Sequence, residues 1–179
     1  MEVSQDETYT IEDIYALPEG TRAELIGGHI YYIAPPNTRH QRILNYINTA
    51  IYNYIKSKKG DCEVFPAPFG VFLNKDTKYV EPDISVICDR DKLDDRGCNG
   101  APDWIVEIVS PSSKRMDYFI KLFVYRTAGV REYWIVDPDK NRITIYNFVA
   151  EDVQDYTFTD IIYSIIYSDF AIDFSQLEI

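Results

Sequence analysis

Residues 104–109 read WIVEIV, apolar at every position but one. A short, near-continuous run of this kind marks a strand buried on both faces. An SPSS turn follows, then Met116, Phe119, Ile120, Phe123 and Val124 at helical spacing, closed at Gly129. Residues 132–136 are again a buried strand. Two strands joined through a helix run parallel when they share a sheet. The fold class is therefore α/β, a mixed β-sheet flanked by helices. Glu107 lies inside that sheet with no polar face to occupy.

The rest of the chain fits around this unit. Residues 9–17 predict a short helix that stops at Pro18, and ELIGGHI reads as a hairpin turning at Gly27-Gly28. Ile43, Leu44, Ile47, Ile51, Tyr54 and Ile55 recur at three and four, one buried face of a helix whose end carries Lys56, Lys58 and Lys59 before a capping Gly60. Residues 62–73 and 79–88 predict two strands, the first an edge or irregular strand because of Pro66 and Pro68. Residues 89–102 predict a polar loop long enough to border a site. Residues 142–148 should pair with 132–136 across Asp137-Pro138, and the acidic tail adds weaker β segments. With 179 residues and no repeat or linker, the chain reads as a polar tail (1–8) and one domain (9–179).

Apolar residues at 46% and charged residues at 26% exclude a disordered or fibrous chain. No apolar stretch approaches the roughly 18–20 residues of a membrane span. The acidic start MEVSQDET lacks the order of an export signal, which predicts a cytoplasmic protein. Cys62, Cys88 and Cys98 are odd in number and lack CxxC spacing, which points to reduced thiols and away from a zinc knuckle or a disulfide framework. The formal charge of −11 opposes broad phosphate binding. It is segregated, however: residues 38–59 hold five bases and no acid, and residues 110–131 hold five bases against Asp117 alone. Basic surface on the two main helices is one reading, and two solvated helix faces the other.

Asp83, after Pro82 at a strand bend, and Glu107 are acids among apolar strand residues. A buried carboxylate needs a proton, a cation or a metal. If their strands adjoin, the two acids offer hard oxygen donors for Mg²⁺ or Mn²⁺. Lys121, four residues after Asp117 and four before Tyr125, borders the apolar helix stripe and points toward the sheet. It is either a third member of the site or half of a surface Asp117–Lys121 pair. Asp83 taken alone reads first as a turn acid or one facing solvent.

VEPDISVI, APDWIVEIVSPSS, a DxxxK helix with Tyr125, and GVREYWIVDP, in this order, resemble the Uma-two family of proposed restriction endonucleases in the PD-(D/E)XK nuclease superfamily. ELIGGHI, the proline-rich turn and His40 resemble that family's N-terminal half, so the likeness spans about residues 8–175. The resemblance implies a restriction-endonuclease-like fold, DNA phosphodiester cleavage and a divalent metal. It carries the PD acid onto Asp83, the second acid onto Glu107 and a metal-facing backbone carbonyl onto Ile108. The superfamily lysine belongs two residues after the second acid, where this chain has Val109, and the family pattern moves it to the next helix at Lys121. Glu24 matches an acid that flanks such sites, and reads equally as an exposed acid at the hairpin entrance; His40 reads as a contact to phosphate or metal or as a structural or solvated helix-start residue, and Tyr125 as a packed aromatic with a bonded hydroxyl and not a catalyst.

The leading reading is a metal-dependent endonuclease acting on DNA through Asp83, Glu107 and Lys121. The alternative is a nuclease-fold module that binds DNA or a protein partner without cutting. A two-carboxylate glycosidase would not need Lys121, and Ser110 and Ser112 have no nearby histidine in sequence for serine-hydrolase chemistry. The resemblance, with its exposed strands, leaves a homodimer open.

Overall fold

The computed structural model describes residues 8–111 and 113–178; the tail before residue 8, Ser112 and Ile179 fall outside them. A short helix, α1 (Ile11–Tyr15), ends before Pro18 as expected. The hairpin β1 (Ala23–Ile26) and β2 (His29–Tyr32) turns at Gly27 and Gly28, whose φ angles of 60° and 80° suit residues without a Cβ. The long helix α2 (Thr38–Lys58) buries Ile43, Leu44, Ile47, Ile51 and Ile55. Its left-handed cap is Lys59, φ 52°, one residue before the expected glycine.

The two strands expected at 62–73 and 79–88 each break in two. The first yields β3 (Glu63–Pro66) and β4 (Val71–Phe72), the second β5 (Lys78–Val80) and β6 (Ile84–Ile87). Pro66, Pro68 and Pro82 lack the N–H a ladder requires, so at each break the chain leaves one sheet for another. The expected polar loop at 89–102 instead contains a hairpin, β7 (Leu93–Asp94) and β8 (Gly97–Asn99). It closes on β4 because Gly97, φ 145°, has no Cβ: one placed there would lie 2.0 Å from the Gly70 carbonyl oxygen. Next come β9 (Trp104–Ile108), a π-helical segment (Met116–Lys121) running into α3 (Leu122–Ala128), β10 (Glu132–Asp137), β11 (Arg142–Asn147) and β12 (Asp152–Tyr156). A ribbon of β13 (Ile161–Tyr163) and β14 (Ala171–Asp173) follows.

Two six-stranded mixed sheets thus replace the single sheet expected. The central one runs β12-β11-β10-β9-β6-β3, with β9 and β10 parallel across the helical crossover and β3 at the edge, as its prolines indicated. The other runs β2-β1-β5-β4-β8-β7. On one face of the central sheet, Trp104, Val106, Trp134 and Val136 pack with the α2 isoleucines. On the other, Ile105, Tyr133 and Ile135 meet Val124 and Tyr125 of α3 and Val71 and Val80 of the second sheet. Side chains alternate along a strand, so Glu107 shares the second face with Ile105 and Val109. It points into the space where the two sheets and the crossover helix meet.

Two further expectations need correcting. Phe119 and Phe123 do not pack on β9; they are 71% and 67% exposed. The π segment adds a residue to the turn, which rotates the 3.6-residue stripe outward and brings Asp117, Lys121, Val124 and Tyr125 inward. Cys62 and Cys88 are joined in a disulfide, because the antiparallel register that pairs Glu63 with Ile87 brings the flanking cysteines face to face. Cys98 is left as a buried thiol. Among the described residues no helix is long and apolar enough to cross a membrane.

Candidate active site

Asp83 immediately precedes β6, directly after Pro82 has broken the previous strand. The antiparallel β6–β9 pair carries it beside the end of β9. There its Oδ2 accepts the Ile108 N–H at 2.7 Å, and its own N–H reaches Glu107 Oε2 at 3.4 Å. The two acids of the resemblance therefore adjoin through the backbone. His40, in the first turn of α2, lies 3.1 Å from Asp83 Oδ2 through Nε2. Burial lowers the His40 pKa, but the bond to Asp83 and its charge, the Ile108 backbone and Asp117 outweigh it, and the net shift is upward.

Glu107 faces a different partner set. Its Oε1 accepts from Lys121 Nζ at 2.9 Å and from the Tyr125 hydroxyl at 2.6 Å. Lys121 Nζ also lies 3.0 Å from Glu24 Oε1 and 3.8 Å from Asp117 Oδ1. Glu24 is held by the Glu81 N–H at 2.9 Å, and Asp117 Oδ2 by the Ser113 hydroxyl at 2.6 Å. Tyr133 pins the π segment by donating to the Asp117 carbonyl at 3.0 Å. Glu24, Glu107, Asp117 and Lys121 are all at least 95% buried.

The electrostatics follow from this crowding. Burial pushes Glu107 well above the usual carboxylate range; Lys121 opposes the shift, and Asp117, Asp83 and Glu24 add to it. Asp117 is pushed up to about 6 by burial, against the pull of Lys121 and Ser113. Burial alone would strip the proton from Lys121, but Glu107, Glu24 and Asp117 outweigh it and raise the lysine well above its ordinary value. The ammonium is thus a fixed charge and not a proton carrier. Burial and the neighbouring Glu107 charge likewise raise Tyr125, so its hydroxyl stays a donor.

All of the expected residues, Glu24, His40, Asp83, Glu107, Ile108, Lys121 and Tyr125, line or border one region. Glu24 is buried and not an exposed hairpin acid, Asp83 is bonded and not a free turn acid, and Asp117–Lys121 is no surface pair. The helix stripe and the resemblance together predict that the Lys121 ammonium bridges Asp83 and Glu107; it bridges Glu107 and Glu24 instead. Asp117 and Ser113 are the members that sequence reasoning missed. Their only local signal is the DxxxK spacing, which reads as a solvent-exposed ion pair until the helix face is known. The segment at 89–102 does not line the cleft.

These side chains floor a cleft of about 730 Å³ walled by Tyr31 and Tyr32 of the hairpin, Arg39 of α2, and Ser110, Pro111 and Ser113. Four carboxylates face one ammonium and one imidazole. Hard oxygen donors in excess of positive charge suit Mg²⁺ or Mn²⁺. Among the described residues no group of three or more His, Cys, Asp or Glu side chains is placed to hold a metal ion. A cation held by Asp83 and Glu107 would therefore keep coordination places for water and for phosphate oxygens, as Mg²⁺ commonly does.

A solved protein titled "a putative nuclease belonging to DUF820", from Anabaena variabilis, superposes with a TM-score of 0.78, covering 94% of this chain and 96% of its own at 20% identity. That likeness establishes the restriction-endonuclease-like α/β fold. "Uncharacterized protein slr1290" of Synechocystis is 27% identical over 126 residues, 69% of this chain and 65% of that relative's length. The model of the Uma2 family, described as "Putative restriction endonuclease", matches residues 11–164, and by that match over most of its length the chain belongs to the Uma2 family.

Proposed function

We propose that this protein is a divalent-metal-dependent endonuclease that hydrolyses DNA phosphodiester bonds. The observation that carries the reading is the junction of Asp83 and Glu107 at the end of β9, with Lys121 on the far side of Glu107. The first turn of α2 and the start of the crossover helix both open on the cleft. Helix N-termini attract phosphate oxygens.

In this reading Asp83 and Glu107 hold the cation, with the Ile108 carbonyl as a further oxygen donor. A bound Mg²⁺ or Mn²⁺ supplies Lewis-acid stabilisation and eases deprotonation of the attacking water. His40 fixes the Asp83 carboxylate, and the Ile108 N–H orients the same oxygen. The Lys121 ammonium lies ready to offset negative charge that develops on the phosphoryl oxygens. Tyr125 restrains Glu107 so that one carboxylate oxygen stays turned toward the lysine.

Purified protein with Mn²⁺ should nick or linearise plasmid DNA. Asp83→Asn and Glu107→Gln should each lower the rate by several orders of magnitude while the far-UV spectrum stays native. Equal cleavage by wild type and both variants would show that the activity is not this protein's.

A second reading, a nuclease-fold module that binds without cutting, draws on the charge of −11 and on the pairing of the cleft arginines, Arg22 with Glu81 and Arg39 with Asp139. It becomes the better account if no DNA is cut with any divalent metal.

A further inference from the structure

We propose that the cleft takes DNA as a single unpaired strand, with a base stacked on its Tyr31–Tyr32 wall, and not as an intact duplex. This rests on the proposed endonuclease reading for the cut and adds the kind of strand that is cut.

The charges in the cleft oppose a duplex. Among the described residues that line it are the carboxylates of Glu24, Glu81, Asp83, Glu107, Asp117 and Asp139, against the permanent cations Arg22, Arg39 and Lys121. Each of these cations is already engaged: Arg22 by Glu81 at 2.8 Å, Arg39 by Asp139 at 3.4 Å and Lys121 by Glu107 at 2.9 Å. A duplex carries one phosphate per roughly 1.7 Å of axis, and proteins hold it chiefly by neutralising several of them with Lys and Arg. A divalent ion on the floor would offset two charges and still leave the walls without a row of unpaired cations. The usual grip on two phosphate backbones is missing.

One wall offers a different grip. Residues 31–36, Tyr-Tyr-Ile-Ala-Pro-Pro, line the cleft without a single charge. Tyr31 stands opposite Glu24 in the β1–β2 register, and directly paired strand residues share a face. Its side chain therefore lies on the side from which Glu24 reaches Lys121. Tyr32 follows it on the same wall and is 69% exposed despite its large ring. An aromatic ring holds an unpaired base by stacking, whatever the base and without a cation. Within a duplex those base faces are covered by their neighbours, so only an unpaired strand can use the wall. The size agrees: about 730 Å³ falls in the range of roughly 300–1,000 Å³ of pockets that enclose small ligands, room for about one or two nucleotides.

The consequence is that cutting is confined to unpaired stretches, such as flaps, gaps and bubbles, where a phosphate can reach Asp83 and Glu107 while a neighbouring base lies on the tyrosines.

The test measures fluorescence anisotropy with Ca²⁺ in place of Mn²⁺, using a labelled strand of about 20 nucleotides, longer than the about 4–16 that a single-strand site occupies, and the duplex it forms with its complement. The strand should bind at least about tenfold more tightly than the duplex. Tyr32→Ala should weaken strand binding by about tenfold, and Tyr32→Phe, which keeps the ring, should bind like wild type. Both variants should keep the native circular dichroism spectrum, since the side chain is exposed. Duplex binding as tight as strand binding, strand affinity unchanged in Tyr32→Ala, or no binding of either DNA overturns the inference. Cleavage with Mn²⁺ separates it from the reading beneath it. If the strand binds as expected but is cut with no divalent metal, the inference stands as a binding preference and the endonuclease reading falls. If the duplex is cut as fast as the strand, the endonuclease reading stands and the inference falls.

Discussion

Lys121 Nζ lies 2.9 Å from Glu107 Oε1 although fourteen residues separate them in the chain. The parallel crossover makes this possible: the helix leaving β9 returns across the sheet face that Glu107 occupies, and the π segment turns the lysine inward.

Tyr125 donates to the same Glu107 oxygen at 2.6 Å. Tyr125→Phe removes a hydrogen bond to a charged acceptor and should cost about 1.5–3 kcal/mol. Lys121→Met also strips the buried carboxylates of their cation and should cost more, about 3–5 kcal/mol. Urea midpoints rank the two, and the reverse order would mean that the tyrosine, not the lysine, neutralises Glu107.

The Asp117 carboxyl, raised to about 6 from an ordinary 3.8, binds its proton more tightly in the folded state than in the unfolded one. Its contribution to stability is complete below the unfolded value and is lost as pH rises through the folded one. The amide in Asp117→Asn cannot titrate. Between pH 4 and pH 6.5 that variant should therefore gain on wild type, by on the order of 1–3 kcal/mol. Denaturation curves at both pH values measure the gap; a gap that stays constant or moves the other way contradicts the shift.

Phe119 and Phe123 project from the crossover helix into solvent. Replacing either with serine should change stability by no more than about 0.5 kcal/mol. Ile135→Ala, in the core on the sheet face that this helix covers, should cost about 2–5 kcal/mol. Comparable losses at all three positions would mean that the phenylalanines are packed after all.

The Cys62–Cys88 bridge closes 26 residues of chain. Reduction, or the double replacement by serine, should lower unfolding free energy by about 2–4 kcal/mol. Cys98, buried and pushed up to about 11 by that burial, should resist alkylation until the protein unfolds. Mass spectrometry after native labelling reads both: labelling at Cys62 or Cys88 without reductant would show that the bridge is absent.

Local pattern was enough for much of this protein. The three-and-four spacing of the α2 isoleucines marks which side of that helix is buried. Gly27-Gly28 marks a tight hairpin, and WIVEIV before a helix and another apolar run marks a parallel crossover. The same run exposes Glu107 as a misfit that demands a partner. Family likeness then singled out Asp83 and Lys121. Each of these depends on neighbours within a turn or two of chain, where side-chain period and backbone conformation are coupled.

What only the tertiary structure decided is how separate elements face one another. The prolines at 66, 68 and 82 predict interruption, but not that each fragment joins a different sheet. The π segment shows in the way the helix meets the carboxylates, and it reverses the fate of Phe119 and Phe123 against Asp117 and Lys121. Glu24 and Glu107 lie far apart in the chain and share an ammonium only because two sheets close on one helix. Cys62 and Cys88 likewise meet only through the β3–β6 register. The shared ammonium turns on burying charge with a partner, and that energy, like the sheet pairing and the disulfide, exists only once distant segments have been brought together.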